Sequence, residues 1–296
     1  MKILGIYTNN DYQVAIFEDG TKIRYNKLEA FHPVKPECID LKITNRCTGT
    51  GCAYCHEDSS PDGQHGDILN LPFLDSLLPY TELAIGGGNP LEHPDLTAFL
   101  AECHRRKIIA NMTVNQKHVM DNWMQLDSML TSREIYGLGV SVTRVDEEFL
   151  NFVRYMNGMN IVFHVINGVI EPTELEKLYG MGCKILILGY KQFWRGEKFY
   201  SSAVQARMDM MSEKLPEILT QFNVVSFDNL ALAQLPVREQ MSDKDWEKFY
   251  MGDDGQFTMY IDAVKREFAK SSTSTERWPI TGDIAEMFGV VKGDNS

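Results

Sequence analysis

Along the first 35 residues, apolar and polar positions alternate in short runs. ILGIY, YQVAIF and TKIRY are separated by the turn signals NND and EDG. A period of two between turns predicts three strands, a small β addition over residues 1–35. After Pro36 the pattern changes. Six apolar runs of strand length follow: CIDLKIT (38–44), ELAIG (82–86), KIIANMTV (107–114), YGLGVSVT (136–143), NIVFHVI (160–166) and KILILG (184–189). Segments of helical period lie between them. Pro94 opens one, with Leu96, Phe99, Leu100 and Cys103 at i, i+3, i+4 and i+7. Phe149, Leu150, Val153 and Met156 repeat the period in another, which Gly158 ends, and Pro172 opens a third. Such alternation predicts a parallel sheet with right-handed crossovers.

The strand faces narrow the architecture. Asp40, Lys42 and Thr44 share one face of the first strand, and Ile39, Leu41 and Ile43 the other. Asn111, Thr113 and Asn115 share a face of the third, Ser141 and Thr143 a face of the fourth. A doubly wound sheet buried on both sides reads as continuous apolar runs. A closed eight-stranded barrel packs its interior with side chains. A polar face on six units therefore predicts an α/β fold built on a wider, incomplete (β/α)6 barrel of parallel strands over residues 36–222. The β addition precedes it, and an irregular C-terminal extension follows over 223–296. In that extension NVVSFDNLALAQL predicts one added strand, SDKDWEKFY a short helix, GQFTMYIDAVKREFAKSS a strand running into a polar tail, and DIAEMFGVV a last helical turn.

Composition adds exclusions. The 296 residues are 44% hydrophobic and 24% charged, as in ordinary globular chains. With no run of eighteen apolar residues, no transmembrane helix is expected, and the N-terminal apolar stretch is too short for a signal peptide. A cytoplasmic location with reduced thiols is the expectation. The net charge of −12 would repel phosphates, which argues against nucleic acid and for a small-molecule or peptide substrate.

Three of the six cysteines fall in CTGTGCAYCHE (47–57), spaced C-x4-C-x2-C, directly after the first barrel strand. Loops at the C-terminal ends of parallel strands are where α/β sites are built. Three readings of the triplet stay open. Structural zinc would take His56 or His65 as its fourth ligand. An unmetallated redox pair would use Cys52 and Cys55. An iron–sulfur cube takes one cysteine per iron, so three cysteines leave one iron open. Cys103 and Cys183 sit among apolar neighbours and read as core, and Cys38 has no evident role.

The order of segments resembles the radical S-adenosylmethionine (SAM) enzymes over roughly residues 36–190. IDLKITNRCTGTGCAYCHE resembles a first barrel strand and cluster loop, with the aromatic Tyr54 before the third cysteine. LAIGGGNPLEHPDL (83–96) resembles the family's Gly-Gly-Glu-Pro segment. GVSVT (139–143) and HVINGVI (164–170) sit where the family holds the ribose and adenine of SAM. The resemblance implies a [4Fe–4S] cluster on Cys47, Cys52 and Cys55. It implies SAM contacts at Tyr54, Gly87, Gly88, Asn89, Ser141 and Asn167, and an external electron donor. SAM cleaved by the cluster would give a 5′-deoxyadenosyl radical that takes hydrogen from a substrate. Catalytic residues beyond these stay unassigned. The alternative is a zinc-stabilised binding protein without radical chemistry.

Two departures stand out. The family's usual spacing is C-x3-C-x2-C, one residue shorter, and Gly49 and Gly51 can absorb the insertion through unusual backbone angles. Gly87-Gly88-Asn89-Pro90 replaces the family's glutamate with an amide, which keeps the carbonyl acceptor and loses the charge. No cysteine follows Cys183, which argues against an auxiliary cluster in a C-terminal extension. Lys191, Trp194 and Arg195 after the sixth strand are candidates to hold a carboxylate or phosphate. His56 and Glu57 read as a solvated loop.

Overall fold

The computed structural model describes residues 2–28, 30–156 and 158–293. The expected segments 1–35 and 223–296 therefore each run partly outside the described residues. Strands β1 (Ile3–Asn9), β2 (Tyr12–Phe17) and β3 (Lys22–Tyr25) form a three-stranded antiparallel sheet, as the period-two pattern predicts. A shared carboxylate fastens it to the rest of the chain. Tyr12 donates its hydroxyl to Glu37 at 2.7 Å, and Arg24 donates to both oxygens of the same buried glutamate at 2.8 and 3.0 Å.

The second sheet holds β4 (Cys38–Thr44), β5 (Glu82–Gly87), β6 (Ile109–Asn115), β7 (Gly137–Ser141), β8 (Ile161–Ile166), β9 (Lys184–Leu188), β10 (Val224–Phe227), β11 (Thr258–Asp262), β12 (Glu267–Ala269) and β13 (Trp278–Pro279). Its order is β10-β9-β8-β7-β6-β5-β4-β11-β12-β13, parallel from β10 through β11 and antiparallel beyond. The six expected strands are all present, and among the described residues eight strands run parallel. β10 extends one edge. β11 returns from the C-terminal segment to pair with β4, with Tyr260 opposite Asp40 and Asp262 opposite Lys42. The C-terminal segment is thus not an irregular extension but an integral part of the sheet. Its strand pattern is visible in the sequence; the edge it joins is not, because period-two alternation identifies a strand and says nothing of its partner.

Helices α1 (Leu96–Arg105), α2 (Gln116–Asp121), α3 (Trp123–Thr131), α4 (Glu147–Tyr155), α5 (Pro172–Leu175), α6 (Arg195–Phe199), α7 (Ser202–Gln221), α8 (Asn229–Gln234), α9 (Asp243–Phe249) and α10 (Ile284–Lys292) connect or cover the strands. The expected stripe of α1 is buried in full, at Leu96, Phe99, Leu100 and Cys103. Asp146 caps α4 by accepting the Phe149 amide at 2.9 Å, with Glu147 and Glu148 in the first turn complementing the helix dipole. The expected last turn is a nine-residue helix: α10 buries Ile284, Met287, Phe288 and Val291 and is capped by Asp283.

Among the described residues β10 and β13 do not pair, so the sheet stays open. It nevertheless curls. One cavity of about 320 Å³ is lined by Asp40 and Lys42 of β4, Gly86 of β5, Thr113 of β6, His164 of β8 and Asp228 just after β10. Strands that far apart in the order share a lining only on a concave face.

Candidate active site

The cysteine loop leaves β4 at its C-terminal end and is fixed by backbone bonds before any side chain acts. Cys47 donates its amide to the Ser60 carbonyl at 2.9 Å, and Asn45 to that of Gln64 at 3.0 Å. Gly49 and Gly51 take φ of +84° and +54°, the left-handed angles expected to absorb the extra residue between Cys47 and Cys52. The Gly86–Asn89 segment after β5 is sewn onto this loop. Gly88 donates to the Thr44 carbonyl at 2.7 Å, and Asn89 to that of Arg46 at 2.8 Å. A Cβ at Gly87 would run into the Thr44 carbonyl, and one at Gly88 into the Arg46 carbonyl. The close approach these glycines allow is therefore to the backbone leading into the cysteine loop. Gly86 differs: a Cβ there would meet only open cavity.

The three thiols are half-buried, unpaired with one another, and each has its own neighbours. Cys47 Sγ lies 3.2 Å from Thr50 Oγ1 and 3.7 Å from His118 Nε2 of α2. Asn115, at the end of β6, donates to Cys52 Sγ at 3.8 Å, and Tyr54 lies near the same thiol. Arg195 of α6 lies against Cys55 and donates to the Ser59 carbonyl at 2.7 Å. Burial raises the Cys47 thiol pKa, Thr50 opposes that shift, and Cys52 and Cys55 add to it. Among the described residues no three Cys, His, Asp or Glu side chains converge closely enough to hold a metal. The donor set nonetheless suits an iron–sulfur cluster: three thiols on one loop, none in a disulfide, with the Arg195 side chain beside Cys55. Ligation requires them to turn from their present neighbours toward one another. His56 and His65, the histidines that a zinc site would recruit, are otherwise engaged. His65 Nδ1 bonds Thr44 Oγ1 at 2.9 Å, and His56 Nε2 lies 3.3 Å from Glu57 and 3.4 Å from Lys191.

Glu57 is not on a solvated loop. Its carboxylate meets Lys42 of β4 at 2.6 Å, and Asp262 of β11 reaches the same ammonium at 3.4 Å. Burial opposes the charge on Lys42, but Glu57 and Asp262 outweigh it and hold the pKa above its ordinary value. Burial likewise opposes ionised Glu57; bonding to His56 and the charge of Lys42 prevail and hold it well below the carboxylate range. Local sequence gave no sign of this pair, since its members lie on different elements.

Two larger cavities flank the loop among the described residues. The outer one, about 560 Å³, is lined by Cys52, Tyr54, Asn115, Gln116 and Thr143 among others. The inner one is the 320 Å³ cavity of the concave face, which His56, Glu57, Gly87 and Lys191 also line. Several of its titratable groups carry shifted pKa values, Asp40 and His164 among them. Asp40 has an exposed side chain facing the cavity; partial loss of water within the concave face lifts its pKa to about 6, with Lys191 opposing and Asp254, Asp228 and Glu57 adding. Burial alone lowers His164 to about 4, leaving a neutral imidazole at pH 7.

The remaining expected residues separate. Ser141 ends β7, half-buried, in register with Asn115 of β6 and His164 of β8. Asn89 is 4% exposed and its amide is engaged, accepting from Leu91 N at 3.2 Å and donating to Glu92 at 3.0 Å. Asn167 is fully buried; it donates to Gln234 of α8 at 3.3 Å, and its Oδ1 has no partner among the described residues. Of the three candidates after β9, Lys191 faces the inner cavity and bonds Ser272 at 2.9 Å. Arg195 turns to the cysteine loop, and Trp194 is 59% exposed.

No protein-family model and no curated protein sequence matches the chain. Solved structures do. SuiB of Streptococcus suis bound to S-adenosylmethionine superposes with a TM-score of 0.63 at 12% identity, over 100% of this chain and 89% of that one. SuiB alone gives 0.60 at 12% identity over 98% and 89%. SuiB bound to precursor peptide SuiA gives 0.59 at 13% identity over 89% and 67%. At these identities the likeness is one of fold. Among the described residues no helix is long and apolar enough to cross a membrane.

Proposed function

We propose that this chain is a radical SAM enzyme that takes hydrogen from a small-molecule or peptide substrate in the cytoplasm, with an electron from an external donor. The observation that carries the reading is the C-x4-C-x2-C loop, set at the C-terminal edge of a curled sheet of eight parallel strands and sewn by hydrogen bonds to a Gly-Gly-Asn-Pro segment. A structure of the same fold, SuiB, is recorded with S-adenosylmethionine and with a precursor peptide, which supports both the cofactor and a peptide as one substrate class.

In this reading residues 36–222, together with β11, form a partial barrel. Cys47, Cys52 and Cys55 would hold a [4Fe–4S] cluster, and its open iron would take SAM. Bound together, cluster and SAM supply a 5′-deoxyadenosyl radical able to abstract a substrate hydrogen. The chain's own residues bind, orient and shield. Tyr54 and the backbone of Gly87, Gly88 and Asn89 would border the cofactor and Ser141 would offer a hydroxyl to the ribose, while Asn167, fully buried, would support the adenosyl side from behind the site's lining. Because the side chain of Asn89 is engaged, recognition of the SAM ammonium falls to backbone carbonyls of this segment. The inner cavity receives the substrate. Asp40, ionised above about pH 6, can accept a proton there, and Lys191 can hold an anionic group.

Anaerobic reconstitution with iron and sulfide tests this reading. About four irons per chain and a broad thiolate-to-iron absorbance near roughly 400 nm are expected. A colourless protein that binds one zinc ion would overturn it.

A further inference from the structure

Where the resembled motif has a glutamate, this chain has Asn89, and a glutamate stands three residues on. The Glu92 carboxylate is only 19% exposed and gathers four groups. Its Oε1 accepts the Thr48 amide at 2.9 Å, the Thr48 hydroxyl at 2.9 Å and the Asn89 amide at 3.0 Å. Its Oε2 faces Arg46 Nε at 3.3 Å. Arg46 and Thr48 are the residues on either side of Cys47. The backbone bond from Asn89 to the Arg46 carbonyl closes the same ring from the other side. Burial opposes the charge on Glu92, but the donors from Thr48 and Asn89 prevail and keep it ionised.

We propose that Glu92 is a positioning residue for Cys47. It clamps both flanks of the first cysteine and ties them to the Gly-Gly-Asn-Pro segment. The inference rests on the reading of Cys47 as a cluster ligand. A charged acceptor holding two donors of one residue fixes that residue's backbone more firmly than neutral bonds do. Beyond Gly49 and Gly51 the loop leaves this clamp, and it is held again past Cys55, where Glu57 pairs with Lys42. Glu92 thus fixes the Cys47 end of the loop, and Cys52 lies on the stretch between the two holds. The extra residue between Cys47 and Cys52 falls on that stretch. The carboxylate absent at position 89 is restored at position 92 with a different task, to hold the loop.

The test uses the full chain under anaerobic conditions, before and after iron and sulfide are added. Glu92→Gln and Thr48→Val are compared with the wild type and with Glu102→Gln, a surface change on α1. Before iron is added, Glu92→Gln is expected to speed hydrogen exchange at the Thr48 amide by about tenfold, as loss of a bond to a charged acceptor implies. Alkylation of Cys47 by iodoacetamide should rise by about fivefold or more, with Cys52 and Cys55 changed less than about twofold. Thr48→Val, which removes only the hydroxyl contact, should raise Cys47 alkylation by a smaller factor, and it carries the test should Glu92→Gln lose its native circular dichroism. After iron is added, Glu92→Gln should bind less iron than Glu102→Gln. Unchanged Thr48 exchange and Cys47 alkylation in folded Glu92→Gln, or unchanged Cys47 alkylation in Thr48→Val, would overturn the proposal. Failure of the cluster reading is distinct: the wild type would then bind no cluster, while the exchange and alkylation effects would persist.

Discussion

Lys42 of β4 and Glu57 at the end of the cysteine loop form an ion pair of 2.6 Å, with side chains 7% and 15% exposed. It fastens the loop to the floor of the sheet, and Asp262 ties β11 to the same ammonium. Removing one member of a buried pair strands the other charge. Lys42→Met is expected to cost about 3–5 kcal/mol in denaturant unfolding. Glu57→Gln leaves Lys42 with Asp262 and should cost about 1–3 kcal/mol. A loss below about 1 kcal/mol for Lys42→Met would mean that the pair is not structural.

Two of the shifted groups of the inner cavity, Asp40 and His164, predict opposite pH dependence. Asp40 has a folded pKa of about 6, above its unfolded value. The folded state therefore holds the extra proton between about pH 4 and 6, and the Asp40 contribution to stability falls as pH rises through that window. His164 has a folded pKa of about 4, below its unfolded value. Here the unfolded state holds the extra proton between about pH 4 and 6.5, and the His164 contribution rises with pH. Stability of the wild type minus that of Asp40→Asn should slope downward from pH 4 to 6, and minus that of His164→Gln upward. Matching slopes would show that one assignment is wrong.

The glycines after β5 are predicted to differ in tolerance. Gly87 has φ of +111° and faces the Thr44 carbonyl. Gly87→Ala should cost about 2 kcal/mol or more and loosen the cysteine loop. Gly86→Ala meets nothing and should stay within about 0.5 kcal/mol in thermal unfolding. Equal costs at the two positions would contradict the structure.

Much of the fold is legible in the sequence where the pattern is local. β4 spans the expected residues 38–44, and β8 and β9 begin and end within one residue of their apolar runs. The pairing of β11 with β4 is not legible, because nothing in TMYID names a partner more than two hundred residues upstream. Helix α7 also escaped, although its buried Val204, Met211, Leu215 and Ile218 fall at i, i+7, i+11 and i+14 on one helical face, because Pro216 inside it reads as a breaker. In the candidate site, the cysteine triplet stands out from its spacing and the glycine segment from its resemblance to the family's Gly-Gly-Glu-Pro run. Glu92, His118, Asn115 and Arg195, which touch the cysteines or their neighbours, do not. The first three lie 44 to 71 positions from their contacts in the loop, and contact at that separation leaves no periodic mark.

Single cysteine changes separate site from core. Cys52→Ala should abolish iron binding and leave thermal unfolding nearly unchanged, because the thiol is half-buried and meets only the end of β6 through a weak contact with Asn115. Cys103, buried on α1, should keep full iron content as alanine and lose about 1 kcal/mol of stability to the cavity created. Equal loss of iron in the two variants, read by metal analysis, would contradict the assignment.

The most direct measurement is product analysis after the reconstituted protein is incubated with SAM and a strong reductant under anaerobic conditions. The account predicts 5′-deoxyadenosine and methionine in equal amounts from the wild type and neither from Cys52→Ala. An iron-loaded, reduced wild type that leaves SAM intact, or that releases no more 5′-deoxyadenosine than Cys52→Ala, would contradict it.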